Sequence, residues 1–238
     1  MRNELDDIEK VRKNGNEIRH IQDPGIETMR EAVRKTPGSI RHIKDAPEEI
    51  RLLAVKAGWN SLKYIKDPSY EVMMAAVTNK GWAIQYIRKP DLMLKLAAVK
   101  RDYDAIQYIQ DPECEVQVAA VKNYWSALKF IKEPCLEARK EALKASEQAI
   151  TYIKGYDDEE LREYLRLNIR IAKYLYDSLD MDFLLEVLTG VFSRDDVTER
   201  YIRDFMELQV LDMNKVDFIN EYGSKAAKMK LIDYVLSR

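Results

Sequence analysis

The chain is poor in the residues that cross-link proteins or hold metals, because its 238 residues include only two cysteines and two histidines. Two cysteines form one disulfide at most, which excludes a disulfide-stapled scaffold, and we interpret Cys114 and Cys135 as half-buried thiols. No apolar run approaches the roughly 18 residues that cross a bilayer. The opening MRNELDDIEK is too polar for a signal peptide. These absences predict a cytoplasmic protein without membrane contact.

The usual motifs of catalysis are missing as well. The sequence has no Gly-rich phosphate loop, no Ser or Cys nucleophile motif with a nearby histidine, and no cluster of metal ligands. His20 and His42 have no acidic or cysteine partner at the spacing of a zinc site. We therefore predict no enzymatic activity, no cofactor and no bound metal.

The chain does contain a repeat of 22 residues. A ring residue followed by Ile or Leu recurs as His20-Ile21, His42-Ile43, Tyr64-Ile65, Tyr86-Ile87, Tyr108-Ile109, Phe130-Ile131, Tyr152-Ile153 and Tyr174-Leu175. A second pair keeps the same interval as Ala32-Val33, Ala54-Val55, Ala76-Val77, Ala98-Val99, Ala120-Val121 and Ala142-Leu143. A fixed period of this length indicates a solenoid, in which each unit buries its apolar face against its neighbours.

The pattern within one repeat predicts two short helices. Asp-Pro dipeptides at residues 23, 67 and 111 are typical of a helix start, because Asp caps a helix and Pro suits its first turn. Acids favoured by the helix dipole follow as Glu27, Glu49, Glu71, Glu115, Glu137 and Glu159. The second helix is expected from about Asn60 to Lys66 in its repeat. Since no segment alternates apolar and polar residues for long, we predict an all-α fold.

The layout D-P-x-x-E-x-x-x-x-A-V-K resembles the small helical repeats of the leucine-rich-variant and HEAT-like type. The continuation A-V-K-x-x-x-x-A-I-x-Y-I is similar to a short-repeat family of unknown function that occurs in bacteria, protists and large viruses or phages. The resemblance covers about residues 16–176 and implies architecture, with no catalytic residues to carry over. For a viral protein it implies a place in the host cytoplasm.

The period is lost after residue 176, which suggests a change of organisation. We predict a right-handed solenoid of seven or eight two-helix units over residues 1–176 and a distinct helical C-terminal segment over residues 177–238. Helices in that segment are expected near 180–192, 195–210, 213–221 and 224–237. The charge changes too, from 23 Lys/Arg and 19 Asp/Glu in residues 16–154 to 12 and 18 in residues 155–238.

Aromatic residues in the turns between the paired helices are the first candidates for binding, because exposed aromatics make good interface anchors. They are Trp59, Trp82, Tyr103 and Trp125. The last helix carries Leu231, Tyr234 and Val235 on one stripe, which closes the tail's own core, pairs two copies or grips a partner. A monomer and a homodimer through this segment both remain open.

Rows of Lys and Arg follow the Ala-Val and ring-Ile pairs. Both rows fall at expected helix C-termini, where the dipole favours cations in any protein, although evenly spaced cations also suit a phosphate backbone. Our leading hypothesis is a protein–protein interaction module, a non-catalytic adaptor or inhibitor of a target protein. A small viral or mobile-element protein acting on a host factor fits this hypothesis. The alternatives are a nucleic-acid-binding helical repeat and, with less support, a HEAT-like-repeat DNA glycosylase.

Overall fold

The computed structural model describes residues 4–237, and all regular secondary structure in this range is helical. The all-α prediction is therefore confirmed. Contacts between Cα atoms divide the chain into an N-terminal unit that ends at Lys132 and a C-terminal unit that begins at Glu133. The boundary expected at residue 176 follows the sequence period rather than contacts, and it stays a prediction, as do the handedness and the number of repeats.

An α-helix of ten residues followed by a 3-10 helix recurs along the N-terminal unit. The α-helices are α1 Glu4–Lys13, α2 Ile26–Lys35, α3 Glu48–Ala57, α4 Tyr70–Asn79, α5 Leu92–Arg101 and α6 Cys114–Asn123. The 3-10 helices are η1 Gly15–His20, η2 Pro37–His42, η3 Trp59–Tyr64, η4 Gly81–Tyr86, η5 Tyr103–Tyr108 and η6 Trp125–Phe130. Each α-helix contacts the next one along the chain, as a repeat array requires.

The C-terminal unit begins with the same pattern and then departs from it. It contains α7 Leu136–Ala145, η7 Glu147–Tyr152, α8 Asp158–Leu167, η8 Ile169–Ile171 and α9 Ala172–Leu175. Longer helices follow as α10 Met181–Phe192, α11 Glu199–Glu207, α12 Lys215–Tyr222 and α13 Lys225–Leu236. Phe192 and Phe205 are fully buried with ring centroids 4.9 Å apart, so this unit has an aromatic core.

The core of the N-terminal unit is formed by Val11 of α1, the Ala-Val pair of α2 to α6, and an aliphatic residue of each 3-10 helix. Ala54, Ala76 and Ala98 are wholly inaccessible to solvent. Alanine leaves room for close approach of the neighbouring helix pair, and Gly81 shows how close that approach is. A Cβ atom on Gly81 would lie 2.3 Å from the carbonyl oxygen of Ala98.

The second helix of each repeat is a 3-10 helix, which sequence periodicity did not predict. In η3 the backbone N–H of Ile65 donates to the carbonyl of Leu62, three residues back, at 3.1 Å. Six residues in a 3-10 helix rise about 12 Å, against about 9 Å in an α-helix. A six-residue segment therefore extends further in the 3-10 form than it would as an α-helix.

The Asp-Pro dipeptides do not cap the α-helices. Asp67 has a positive φ of 45° and ends the turn before α4, whose N-cap is Ser69. Asp23, Asp45 and Asp111 adopt the same left-handed conformation. Asp is one of the few residues other than Gly that tolerates it, so the conformation explains Asp at these positions better than capping does.

Asparagine side chains join neighbouring repeats. The Nδ2 of Asn79 donates to the carbonyls of Val55 at 2.8 Å and Lys56 at 2.9 Å. Asn123 makes the equivalent bonds to the helix before it. These bonds satisfy carbonyls at a helix C-terminus that have no partner within the helix.

We expect Ala76→Leu and Ala98→Leu to lower the free energy of unfolding by about 1–3 kcal/mol, because both positions are already packed without space. Ala75→Leu is the matched control. Ala75 is half-buried beside open space in the same helix, so its change should stay within about 0.5 kcal/mol. Chemical denaturation measures the free energy of unfolding of all three variants. If Ala76→Leu unfolded like the parent, Ala76 would lie outside the packed face.

Two buried serines allow a test in which the substitution should raise stability. The hydroxyls of Ser39 and Ser61 are buried with no hydrogen-bond partner among residues 4–237, and the equivalent residues of later repeats are Ala83 and Ala105. Removing an unsatisfied hydroxyl relieves its desolvation penalty, so Ser39→Ala and Ser61→Ala should each raise stability by about 1 kcal/mol.

Ser69→Ala is the control for the serine test. It removes the oxygen that accepts from Val72 N–H at 3.2 Å, so it should lower stability by about 1 kcal/mol in the same denaturation assay. A loss of stability in all three serine variants would mean that the buried hydroxyls have partners.

Candidate functional site

The predicted anchors of the turn edge lie at the start of the 3-10 helices and pack on other rings. Trp59 stacks on Tyr86 with ring centroids 6.0 Å apart and an interplanar angle of 22°. Trp82 meets Tyr108 edge to face at 6.0 Å. Tyr103 meets Tyr124 at 4.9 Å, and Trp125 contacts the same Tyr124 at 6.0 Å. All four predicted anchors are half-buried. The structure thus joins successive repeats through these rings.

Hydrogen bonds and cations occupy much of the remaining ring surface. The indole Nε1 of Trp82 donates to Asp104 at 2.8 Å, and the Lys80 ammonium lies 5.0 Å from the Trp82 ring centroid. Lys63 and Arg41 lie 4.7 and 5.6 Å from the Tyr64 centroid. A base-stacking platform needs a free ring face. Trp82 and Tyr64 therefore make poor platforms for nucleic-acid bases.

The three candidate residues of the C-terminal segment differ in burial. Leu231 is 4% exposed and lies in the core of its unit, where α13 packs against α11 and α12. Tyr234 is half-buried, and Val235 is 54% exposed. The structure therefore does not bring the three together as one exposed stripe. An exposed stripe does exist on α13, formed by Met229, Ile232, Val235 and Leu236.

Sequence reasoning missed a surface on the α-helical side of the N-terminal unit. Tyr70 on α4 and Leu92 and Met93 on α5 are 47%, 38% and 60% exposed. Met93 stands where neighbouring repeats have Glu49, Glu71 and Glu115. The gap at residue 93 in the glutamate column was the signal that could have revealed it. We call Tyr70, Met74, Ala75, Leu92 and Met93 the apolar face.

An open groove of about 800 Å³ runs along part of the apolar face. It is lined by Lys56, Tyr70, Glu71, Met74, Ala75, Thr78 and Asn79. Met93 holds in α5 the position that Glu71 holds in α4, so the repeat places it on the same side. The groove is shallow and its exposed lining is mostly apolar, a character that many binding sites share. Contiguous exposed apolar surface is also typical of contacts with proteins.

Charged residues border the apolar face on two edges. Acids stand at the N-terminal ends of the α-helices, as Glu49, Glu71 and Glu115, and exposed cations stand near the C-terminal ends, as Lys56, Lys100 and Lys122. Earlier in the chain, α2 has Arg30 and Glu31 where α4 has Met74 and Ala75. Glu31 pairs with Arg12 at 2.7 Å, and this ion pair lowers the pKa of Glu31. The apolar face is thus confined to the middle of the N-terminal unit.

The residues considered as metal ligands are engaged in other contacts. His20 and His42 accept hydrogen bonds at Nε2 from Arg19 and Arg41 at 2.9 and 3.0 Å. Cys114 and Cys135 are half-buried as expected, but each is disulfide-bonded, so the interpretation as thiols was wrong. A disulfide sulfur offers no thiolate to a metal.

Comparisons with known proteins return no match to a family model, a curated protein or a solved structure. Among residues 4–237, no helix combines the length and the apolar character needed to span a bilayer. The resemblance to leucine-rich-variant and HEAT-like repeats therefore stays a prediction.

The ring contacts predict that the turn-edge tryptophans contribute to stability. Trp59→Ala and Trp82→Ala should each lower the free energy of unfolding by about 2 kcal/mol, because each removes a half-buried ring and an aromatic pair. Tyr70→Ala on the apolar face is the control and should cost less than about 0.5 kcal/mol. If the tryptophan variants denature like the parent, these rings are free anchors, as the sequence first suggested.

Proposed function

We propose that the chain is a protein-recognition module, a non-catalytic adaptor or inhibitor, and that its partner binds the apolar face. The observation that carries this proposal is Met93, which is 60% exposed where other repeats place a solvated glutamate. Burial of an exposed methionine against a partner contributes a favourable hydrophobic term, which a solvated glutamate does not offer. Methionine also adapts its shape to a partner surface.

The partner chemistry follows from the shape and the charges around the groove. An amphipathic helix lays an apolar stripe into a groove of this kind. The acidic edge with Glu71 and the basic edge with Lys56 favour a helix whose stripe is flanked by basic residues on one side and acidic residues on the other. Such complementarity fixes the direction of the helix and suppresses helices of the wrong polarity.

Nucleic-acid binding receives less support from the same surface. The groove is lined mainly by apolar groups, and phosphate contacts need cations with free access along a path. The Tyr64 and Trp82 rings are covered by cations and neighbouring rings, which leaves little for base stacking. A DNA glycosylase would also need an acid held at a base-binding pocket, and none is singled out among the described residues.

The test replaces Met93 by the glutamate that neighbouring repeats carry at the same position. Met93→Glu restores the glutamate of neighbouring repeats, so the variant should fold like the parent. Placed at the centre of the contact, the charge should weaken binding of the partner at least a hundredfold, because an unpaired carboxylate would be desolvated. The partner is captured from the native cell, purified, and titrated by calorimetry against the parent and the variant.

Met229→Glu is the matched control, since Met229 is equally exposed on α13. It should leave the affinity unchanged within a factor of two. Loss of binding in Met229→Glu with retention in Met93→Glu would assign the contact to α13 and contradict the proposal. Equal affinity of all three proteins would remove both surfaces from consideration.

A further inference from the structure

A second cavity in the N-terminal unit has a different chemistry from the apolar face. It encloses about 420 Å³ where the turn between η2 and α3 meets the end of η3. Its polar wall is formed by Arg41, His42, Lys44, Arg51, Tyr64 and Lys66. Asp45 is the one acid among the lining residues. Four cations against one carboxylate leave the wall strongly positive at neutral pH.

The floor of this cationic pocket is apolar. Ile40, Ile43 and Ile65 line it, and all three are at least nine-tenths buried. Beside this floor, Arg41, Lys44 and Lys66 are exposed to solvent and Arg51 is half-buried, so an anion on the floor can reach all four cations. The floor also offers contact to an apolar body that carries the anion.

Two titrating side chains of the wall have lowered pKa values. Hydrogen bonding from Lys63, then from Arg41, lowers the pKa of Tyr64. Burial lowers the pKa of His42, and Arg41, Arg19 and His20 lower it further. The bond from Arg41 Nε to His42 Nε2, at 3.0 Å, requires the neutral imidazole and agrees with this direction.

The two arginines are held in place by one nitrogen each. Arg51 Nε donates to the carbonyl of Ala46 at 2.7 Å, and Arg41 Nε is occupied by His42. Arg41 Nη2 has a long contact of 3.5 Å to Asn16. A guanidinium anchored through Nε still presents donors in a rigid fork, which matches the oxygens of a phosphate.

The same set of charges recurs once in the sequence, four repeats further on, as Lys129, Lys132, Arg139 and Lys154 with Glu133. Arg51 is replaced by Met29 and Met73 at the equivalent positions of the neighbouring repeats. Arg41, Lys44 and Lys66 are contributed by two repeats, and the turn that holds Lys44 is set by Asp45 with its φ of 48°. The cavity therefore combines cations that follow the repeat with Arg51, which the two neighbouring repeats lack.

We propose that the cationic pocket binds a phosphate monoester, with the phosphate among Arg41, Lys44, Arg51 and Lys66 and the ester group over the isoleucine floor. The excess positive charge suits a dianion better than a single carboxylate. The pocket shares no residue with the apolar face. The phosphate proposal can therefore be tested independently of the proposed function.

Phenyl phosphate is the first probe, because it combines a dianion with an apolar ring. The chain has two histidines, so proton NMR resolves the His42 ring signals during a titration. Binding should be saturable, should raise the pKa of His42 towards its ordinary value, and should move His20 less, since His20 does not line the pocket. No saturation, or equal shifts of both histidines, would overturn the proposal.

Charge-removing variants locate the site. Lys66→Gln and Lys44→Gln should each weaken phenyl phosphate binding about tenfold, because each removes a charge-assisted contact. Lys100→Gln and Lys122→Gln make the same change in net charge outside the pocket and should leave affinity within twofold. Equal weakening by all four variants would show a general charge effect and contradict the pocket.

Further ligands define the chemistry and its source. Benzoate should bind at least tenfold more weakly than phenyl phosphate, and equal binding would overturn the assignment to phosphate. A phosphotyrosine peptide that binds more tightly than phenyl phosphate supports a polypeptide source, and equal affinity supports a small phosphate ester. A single-stranded RNA could also bind more tightly than phenyl phosphate and the peptide. If Lys100→Gln then weakened RNA binding as much as Lys66→Gln, the cations would form a nucleic-acid-binding row, and the pocket proposal would be contradicted.

Discussion

The close contact between the buried alanines and the next helix pair is the constraint on which the rest of the N-terminal unit depends. A helix pair of 22 residues cannot bury its apolar face alone, so its stability comes from its neighbours. Ala54, Ala76 and Ala98 are inaccessible because neighbouring backbone approaches them closely. Once this contact is set, residues on the outer surfaces are free to differ from one repeat to the next.

In a repeat protein, residues with a role in packing can therefore be distinguished from residues with a role in function. Residues that follow the period, such as the Ala-Val pairs and the rings before Ile or Leu, are explained by packing. Residues that break the period on an outer surface have no such explanation. Met93 breaks the glutamate column, and Arg51 stands between two methionines of its own column. Met93 is exposed on the helix that follows the apolar groove along the chain, and Arg51 lines the cationic pocket.

Much of the fold could be predicted from the sequence, because the hydrophobic period reports directly on which residues are buried. The expected helix at 180–192 corresponds to Met181–Phe192, and that at 224–237 to Lys225–Leu236. The 3-10 form of the second helix was not predictable, since six residues hold too few turns to distinguish periods of 3.0 and 3.6. The bonds from Asn79 and Asn123 were also missed, because they depend on the distance between repeats.

The candidate site was harder to predict than the fold, because exposure depends on what neighbouring repeats cover. The sequence predicted Trp59 and Trp82 in exposed turns, yet both lie in 3-10 helices and each packs on a tyrosine of the next repeat. Tyr70 and Leu92 stand at helix starts, and they stay 47% and 38% exposed in the structure. A sequence shows the type of residue at each position, but a surface is defined only when the repeats are stacked.

The central claim is that the partner covers the apolar face on α4 and α5. Hydrogen exchange followed by mass spectrometry, on the chain alone and in complex with its captured partner, tests this claim without any substitution. Binding there should stabilise the two helices against local opening and slow amide exchange in peptides that cover residues 70–79 and 92–101, while peptides from 59–64 and 225–236 exchange as in the free chain. Slower exchange confined to the 3-10 helices or to the last helix would contradict the account.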